Sequence, residues 1–214
     1  LYDSGNNEVL RNLFMYRFSS GEGIKGHTLG NLLMVAMADI LGSEVEAIEM
    51  FKTIFSINGD IIPVTLDDSR LVAEYEDGEV IEGEHLIDEP EDDRNITKIY
   101  LNPAAKANED AIRAIERADY IILGPGDLYT TTLANIVVDG IKESIQKSKA
   151  KIVCIGNLMS KKGQTRNLTQ LGYLEIVEKY IGRDVDYFLK KNEKIPTKAY
   201  ERYLKKGEHI IADD

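Results

Sequence analysis

Two stretches decide the fold: Asp119-Tyr120-Ile121-Ile122-Leu123, closed by Gly124-Pro125-Gly126, and Lys151-Ile152-Val153-Cys154-Ile155, closed by Gly156-Asn157. Each is a short apolar run that stops at glycine, as strands buried in a parallel sheet do. Between them Leu133, Ile136, Val137, Ile141 and Ile145 recur at the spacing of one helical face. Strand, helix and strand at this separation make a right-handed parallel crossover. Downstream the pattern predicts a helix near 169–181 capped by Thr169, a strand near 184–189, a helix near 197–205 and a terminal strand over 209–212. Upstream, Asn108 caps a helix carrying Ala111, Ile112, Ile115 and Ala118. The expected fold class is α/β, Rossmann-like, with three αβα layers around a parallel sheet.

Residues 52–101 read differently, as a β-rich insertion. Asn58-Gly59 carries the signal of a tight hairpin. Leu71–Tyr75 and Glu79–Gly83, joined through Glu76-Asp77-Gly78, form a second hairpin, and Ile96–Leu101 another strand. Before this, residues 9–18 read as a short helix or an extended lead-in. A glycine-rich loop (Gly21, Gly23, Gly26) precedes the run Leu29–Leu41, which is apolar on most of its helical wheel and so predicts a buried helix. Val45, Ile48, Phe51 and Ile54 or Phe55 continue as a second helix.

Composition bounds the function. The 214 residues hold 26 Lys and Arg against 37 Asp and Glu, a net charge of −11, which argues against polymeric nucleic acid and anionic membrane as partners. A local basic patch remains compatible with one phosphorylated ligand. A single cysteine, Cys154, forbids an internal disulfide and fits a reducing compartment, and three histidines offer no zinc-type spacing. The most apolar run is too short to span a bilayer, and no signal peptide is visible.

Three places have residues suited to chemistry. Strand-end glycines at Gly124-Pro125-Gly126 let a ligand approach the backbone, with Thr130–Thr132 as donors and Tyr129 as a stacking face. A tight strand-to-helix turn accounts for the same residues. In Gly26-His27-Thr28-Leu29-Gly30-Asn31, His27 suits a phosphate contact or acid–base work and Asn31 a polar ligand group, while helix capping explains both equally. The stretch Asn157–Thr165 mixes amides and hydroxyls with Lys161 and Lys162, and reads as a loop over an anion or as a solvated connection. Cys154 reads as an inert core residue. Asp67-Asp68, Glu91-Asp92-Asp93 and Asp213-Asp214 read as solvated charge. No Ser-His-Asp or paired-carboxylate arrangement is defensible from spacing.

Taken in order, Gly26–Leu32, Gly124–Thr130, and Asn157-Leu158-Met159 followed by Gly163-Gln164-Thr165 resemble the YvcK-type gluconeogenesis factors, which share a fold with the 2-phospho-L-lactate transferases. The likeness extends to Leu13–Phe18, Ile57–Pro63, Glu76–Gly83 and Tyr203, so it covers nearly the whole chain. It implies a cytoplasmic bacterial protein with one α/β nucleotide-sugar-binding domain over 1–214, binding a UDP-sugar such as UDP-N-acetylglucosamine and supporting cell-wall synthesis and cell shape during gluconeogenic growth. By the same resemblance Gly124, Pro125 and Gly126 flank the nucleotide, with Gly26, His27, Gly30 and Asn31 in the cleft. Tyr129, Asn157 and Thr165 also belong to the site, and Tyr203 contacts base or sugar. No catalytic residue is implied, and the reading favours binding without turnover. The alternative is a phospholactate-type transferase acting on a deazaflavin precursor, and only there does a cofactor, Mg²⁺, enter. Its loop resembles Gly-Pro-Ser-Asn, whereas this chain has Gly-Pro-Gly-Asp-Leu-Tyr. Two family features differ: Asp127 stands where Ser is common, and Lys161-Lys162 where Gln-Pro is usual. The family's GGGTG, DDGGSSG and PPGD(I/V)RN segments are absent, so the chain is expected to enter the family after its first glycine-rich unit. The β-rich insertion offers a surface for homo-oligomerisation.

Overall fold

A computed structural model of the chain describes residues 5–90, 93–191 and 195–213, and the backbone falls into two compact units, Leu1–Pro63 and Val64–Asp214. The first unit is helical. Helix α1 (Gly5–Phe14) is followed by α2 (Leu29–Leu41) and α3 (Glu44–Ile54). Thr28 caps α2, its hydroxyl accepting from the Asn31 amide at 3.2 Å, and Ser43 caps α3 in the same way. Gly42 ends α2 in a left-handed conformation, which a residue with a Cβ adopts only at a cost. The core of this unit is aromatic: Phe14 meets Phe51 and Phe55 edge-on at centroid distances of 5.6 and 5.1 Å. Gly30 lies against the Phe14 ring, where an added Cβ would stand 2.5 Å from Cε1.

Helix α2 is not buried as its composition predicts. Only Gly30 is buried along it, and Val35 and Ile40 stand 61% and 80% exposed. An all-round apolar helix needs neighbours on every side, and this three-helix unit supplies them on one side only. The Asn58-Gly59 hairpin is likewise not formed. No strand flanks it, and the pair lies in an irregular stretch after α3. A turn signal is local, whereas a hairpin also needs two strands to pair.

The second unit contains both sheets. Strand β1 (Arg70–Tyr75) pairs antiparallel with β2 (Val80–Glu82) and with β3 (Ile96–Asn102), giving the order β2-β1-β3, with α4 (Glu84–Asp88) between β2 and β3. Leu71, Val72, Ala73 and Tyr75 make the central strand's buried contribution. The hairpin turning through Glu76-Asp77-Gly78 is thus present. Helix α5 (Glu109–Arg117) follows, with the Asn108 side chain accepting from the Asp110 amide.

The three remaining strands, β4 (Tyr120–Leu123), β5 (Lys151–Ile155) and β6 (Tyr187–Leu189), form a parallel sheet in the order β4-β5-β6. The fold is α/β with a parallel sheet. The connection from β4 to β5 is broken where one helix was expected. It consists of a π-helical turn (Leu128–Leu133), α6 (Ala134–Ile136) and, after Gly140 in the left-handed region, α7 (Ile141–Lys147). Helix α8 (Gln170–Ile181), capped by Thr169, links β5 to β6. Because the strand order advances in one direction, right-handed crossovers put α7 and α8 on the same face. Ile141, Ile145, Tyr173, Val177 and Ile181 of these helices are buried, as are Ile152 and Cys154 of β5. Burial pushes the Cys154 thiol up to about 11. The opposite face, with Tyr120 and Ile122 on β4 and Tyr187 and Leu189 on β6, is exposed. Helix α9 (Thr197–Leu204) buries no residue. The expected terminal strand is reduced to two isolated bridges, Ile210 with Met159 and Ala212 with Thr169.

Candidate functional site

In an open parallel sheet the loops leaving the carboxyl ends of the strands bound a crevice. Here they line a cleft of about 840 Å³. Pro125, Gly126 and Asp127 come from the loop after β4, Gly156–Lys161 from that after β5, and Lys190 and Lys191 from that after β6. Tyr203 on α9, with Lys206 and Glu208 beyond it, complete the wall.

The first two loops are laced together. Asn157 Nδ2 donates to the Gly126 carbonyl at 2.8 Å, and the Asn157 carbonyl accepts from Gln170 Nε2 at 3.0 Å. Both glycines sit where a side chain has no room. A Cβ on Gly124 would lie 2.9 Å from the Ile155 carbonyl oxygen, and one on Gly156 would lie 2.6 Å from Phe188 Cζ and 2.7 Å from Gln170 Oε1. Two buried oxygens near these positions, Thr132 Oγ1 and Gln170 Oε1, have no hydrogen-bond partner among the described residues.

An ion triad occupies one side. Lys161 Nζ stands 3.2 Å from both Asp88 Oδ1 and Asp127 Oδ2. Thr130 Oγ1 donates to Asp88 at 3.2 Å, and Gln164 Nε2 approaches the same oxygen at 3.4 Å. Burial raises the Asp88 pKa, but the hydrogen bond shared with Asp127 and the charge of Lys161 outweigh it and hold the carboxyl below its usual 3.8. Lys161 moves the other way. Burial lowers it, the two carboxylates outweigh that, and its pKa lies above 10.5. The positive charge of Lys161 therefore offsets Asp127, the residue at which the chain departs from the resembled pattern. Glu208 is buried, which lifts its pKa above 4.5 against the pull of Lys206 and Lys161.

The sequence-derived residues distribute as follows. Pro125, Gly126, Asn157 and Tyr203 line the cleft. Gly124 precedes it at the strand end, in the left-handed region with φ of 84°. Tyr129 presents no stacking face: its ring is buried, and its hydroxyl donates to the Ile96 carbonyl at 3.2 Å. Thr165 is also buried, with Oγ1 accepting from the Lys161 amide at 2.8 Å, so it fixes the loop that carries Lys161. Gly26, His27, Gly30 and Asn31 belong to the helical unit. There Thr28 is the cap, His27 is exposed with its carbonyl accepting from the Phe18 amide, and the Gly26 carbonyl accepts from Arg17. Asp88, Lys206 and Glu208 were not singled out from the sequence. Asp88 lies in a charged stretch with no motif, and nothing local marks Lys206 or Glu208. Of the acidic runs, Asp93 is structural, accepting from the Gly163 amide at 3.1 Å and pairing with Arg166 at 3.3 Å. Asp67 accepts from the Lys106 amide at 2.8 Å. Glu91, Asp92 and Asp214 lie outside the described residues.

Comparison with known proteins agrees with this architecture. The family model described as 2-phospho-L-lactate transferase CofD matches residues 1–214. A Thermotoga maritima protein named "Putative gluconeogenesis factor" is 39% identical over 207 residues, covering 97% of this chain and 65% of that protein. A Halalkalibacterium halodurans protein named "Gluconeogenesis factor" is 35% identical over 209 residues, covering 96% and 64%. A crystal structure of a Bacillus halodurans protein superposes with a TM-score of 0.86 at 33% identity, over 96% of this chain and 66% of that one. The chain thus spans about two thirds of the length of these relatives. The family model covers the whole chain, and the solved relative shares its fold: the chain belongs to the 2-phospho-L-lactate transferase CofD family.

Proposed function

We propose that this chain is the nucleotide-sugar-binding part of a cytoplasmic gluconeogenesis factor. It holds a UDP-sugar such as UDP-N-acetylglucosamine and signals to cell-wall synthesis and cell shape during growth on gluconeogenic carbon. The observation that carries the reading is the cleft at the ends of β4, β5 and β6. In a chain of net charge −11, its lining carries four lysines, Lys161, Lys190, Lys191 and Lys206, against two carboxylates, Asp127 and Glu208, around a space the size of a small-molecule site. Pro125, Gly126, Asn157 and Tyr203 are the ligand-facing residues in this reading. The relatives' names support the gluconeogenic association. No helix among the described residues is long and apolar enough to cross a membrane.

The family's printed description favours a second reading, a phospholactate-type transferase. There Mg²⁺ would screen a diphosphate. Mg²⁺ takes one or two carboxylates beside a substrate phosphate; the two that stand together here, Asp88 and Asp127, are both engaged by Lys161 and would have to exchange it for the ion.

Calorimetric titration with UDP-N-acetylglucosamine, UDP-glucose and GDP separates the readings. It is run on this chain and on the full-length Thermotoga maritima relative. Binding of UDP-sugars without turnover is the expected result. Preference for GDP with turnover of a deazaflavin alcohol establishes the transferase, and silence toward all three ligands by both proteins overturns the binding role.

A further inference from the structure

Glu208 is the residue of the cleft that packing does not explain. Among the described residues it is the one charged residue that is buried, at 8% exposure, and it lines the cleft. Its backbone is fixed on both sides. The Glu208 amide donates to the Tyr203 carbonyl at 3.1 Å. The Ser160 amide donates to the His209 carbonyl at 2.7 Å, and the His209 amide returns a bond to Ser160 Oγ at 2.9 Å. The Ile211 amide then donates to the Leu158 carbonyl at 3.0 Å, so residues 208–211 lie along the loop after β5. The charges that face the side chain are Lys206 on its own segment, Lys161 on the loop after β5, Asp127 on the loop after β4 and Asp88 on α4. None of them satisfies it. Lys161 is engaged by the two aspartates at 3.2 Å, and the Glu208 carboxyl makes neither a hydrogen bond nor an ion pair among the described residues. A buried carboxylate without a donor weakens a fold, and such groups persist where a bound molecule brings the donor.

We propose that Glu208 contacts the bound molecule, its carboxylate accepting a hydrogen bond from an uncharged O–H or N–H group. This deepens the nucleotide-sugar reading, on which the identity of the donor rests. Two parts of such a ligand offer one: the appended sugar through a hydroxyl, and the nucleoside through a ribose hydroxyl or the uracil N–H. Either meets a charged acceptor, the strong form of a hydrogen bond. An ionised phosphate has no proton to give and carries charge of the same sign, so the phosphates lie away from Glu208.

Glu208→Gln tests this on the chain as it stands, in two readouts. In the free protein at neutral pH the variant is expected to melt about 2 °C or more above wild type, because a neutral amide of the same shape replaces an unmatched charge. Burial lifts the folded pKa above the ordinary 4.5, so the wild-type penalty is present at neutral pH and disappears as pH falls below 4.5, and the gain should shrink with it. A lower melting temperature at neutral pH overturns the proposal, since it would make Glu208 a structural partner. Calorimetric titration is the second readout. The variant is expected to bind UDP-N-acetylglucosamine about fivefold more weakly, the difference between a charged and a neutral acceptor, and inorganic pyrophosphate no less tightly. An equal loss with UDP puts the donor on the nucleoside, and unchanged UDP puts it on the sugar. Unchanged or tighter binding of UDP-N-acetylglucosamine overturns the proposal, as does an equal loss with pyrophosphate, which has no neutral donor. If wild type binds no nucleotide while the thermal gain persists, the nucleotide-sugar reading falls and the inference stands for another hydroxylated ligand.

Discussion

Lys161 is the residue on which the cleft's geometry turns, because one ammonium holds carboxylates from two separate segments. Lys161→Met leaves Asp88 and Asp127 facing each other without a cation. The side chains are part-exposed, so the expected loss is about 1–3 kcal/mol, below that for a fully buried pair, read by urea denaturation at neutral pH. The pH window follows from the signs. Asp88 is depressed in the fold, so its contribution is present above its unfolded value of 3.8 and is lost as pH falls through the lower folded value. Lys161 is raised, so its contribution is present below 10.5 and is lost as pH rises through the higher folded value. The difference between wild type and variant should therefore be widest between those limits and shrink in acid and in strong alkali. A difference that stays level into acid would mean the triad is not what the variant disturbs. Gly156 makes a steric prediction instead. Gly156→Ala drives a methyl into Phe188 and Gln170 and is expected to cost about 1–3 kcal/mol, seen as a lower Tm.

Elements were legible to the extent that their signals were local. Thr169 capping α8 is such a case, and Thr169→Ala should cost about 1 kcal/mol through the lost bond to the Gly172 amide, again read by denaturant melting. The strands ending in Gly124 and Gly156, the cap at Asn108 and the hairpin through Gly78 were readable for the same reason: a few adjacent residues fix each of them. What failed needed information from elsewhere in the chain. Apolar residues around all of α2 state a demand for burial, not whether neighbours exist to meet it. Asn58-Gly59 suits a hairpin, but no strands lie beside it to pair. The single helix expected before Ile145 breaks because Gly140 takes a left-handed φ of 101°, which periodicity does not register. The site shows the same division. The glycine loops that bound the cleft were visible in the sequence, whereas Asp88 enters from α4, some seventy positions from Lys161, and only the fold brings the two together.

For the whole molecule the exposed sheet face sets behaviour in solution. A parallel sheet is normally covered on both sides, yet here Ile122 is 64% and Leu189 51% exposed on the face opposite α7 and α8. Contiguous apolar surface of this kind drives association. The 214-residue chain is expected to self-associate as its concentration rises, and Ile122→Lys to shift it toward monomer in sedimentation velocity. An unchanged distribution in that variant would move attention to the exposed apolar positions of the helical unit.

The buried sulfur of β5 turns the molecule into its own clock. Cys154 is the chain's one thiol, it is 1% exposed, and the helical unit has none. With its pKa lifted to about 11, the group is almost wholly protonated at pH 8 and unreactive while the sheet is closed. A chromogenic disulfide reagent can then consume it only through an opening of the parallel sheet. The labelling rate reports those openings, and counts each one where the reagent outpaces reclosing, without an introduced probe and without any signal from residues 1–63.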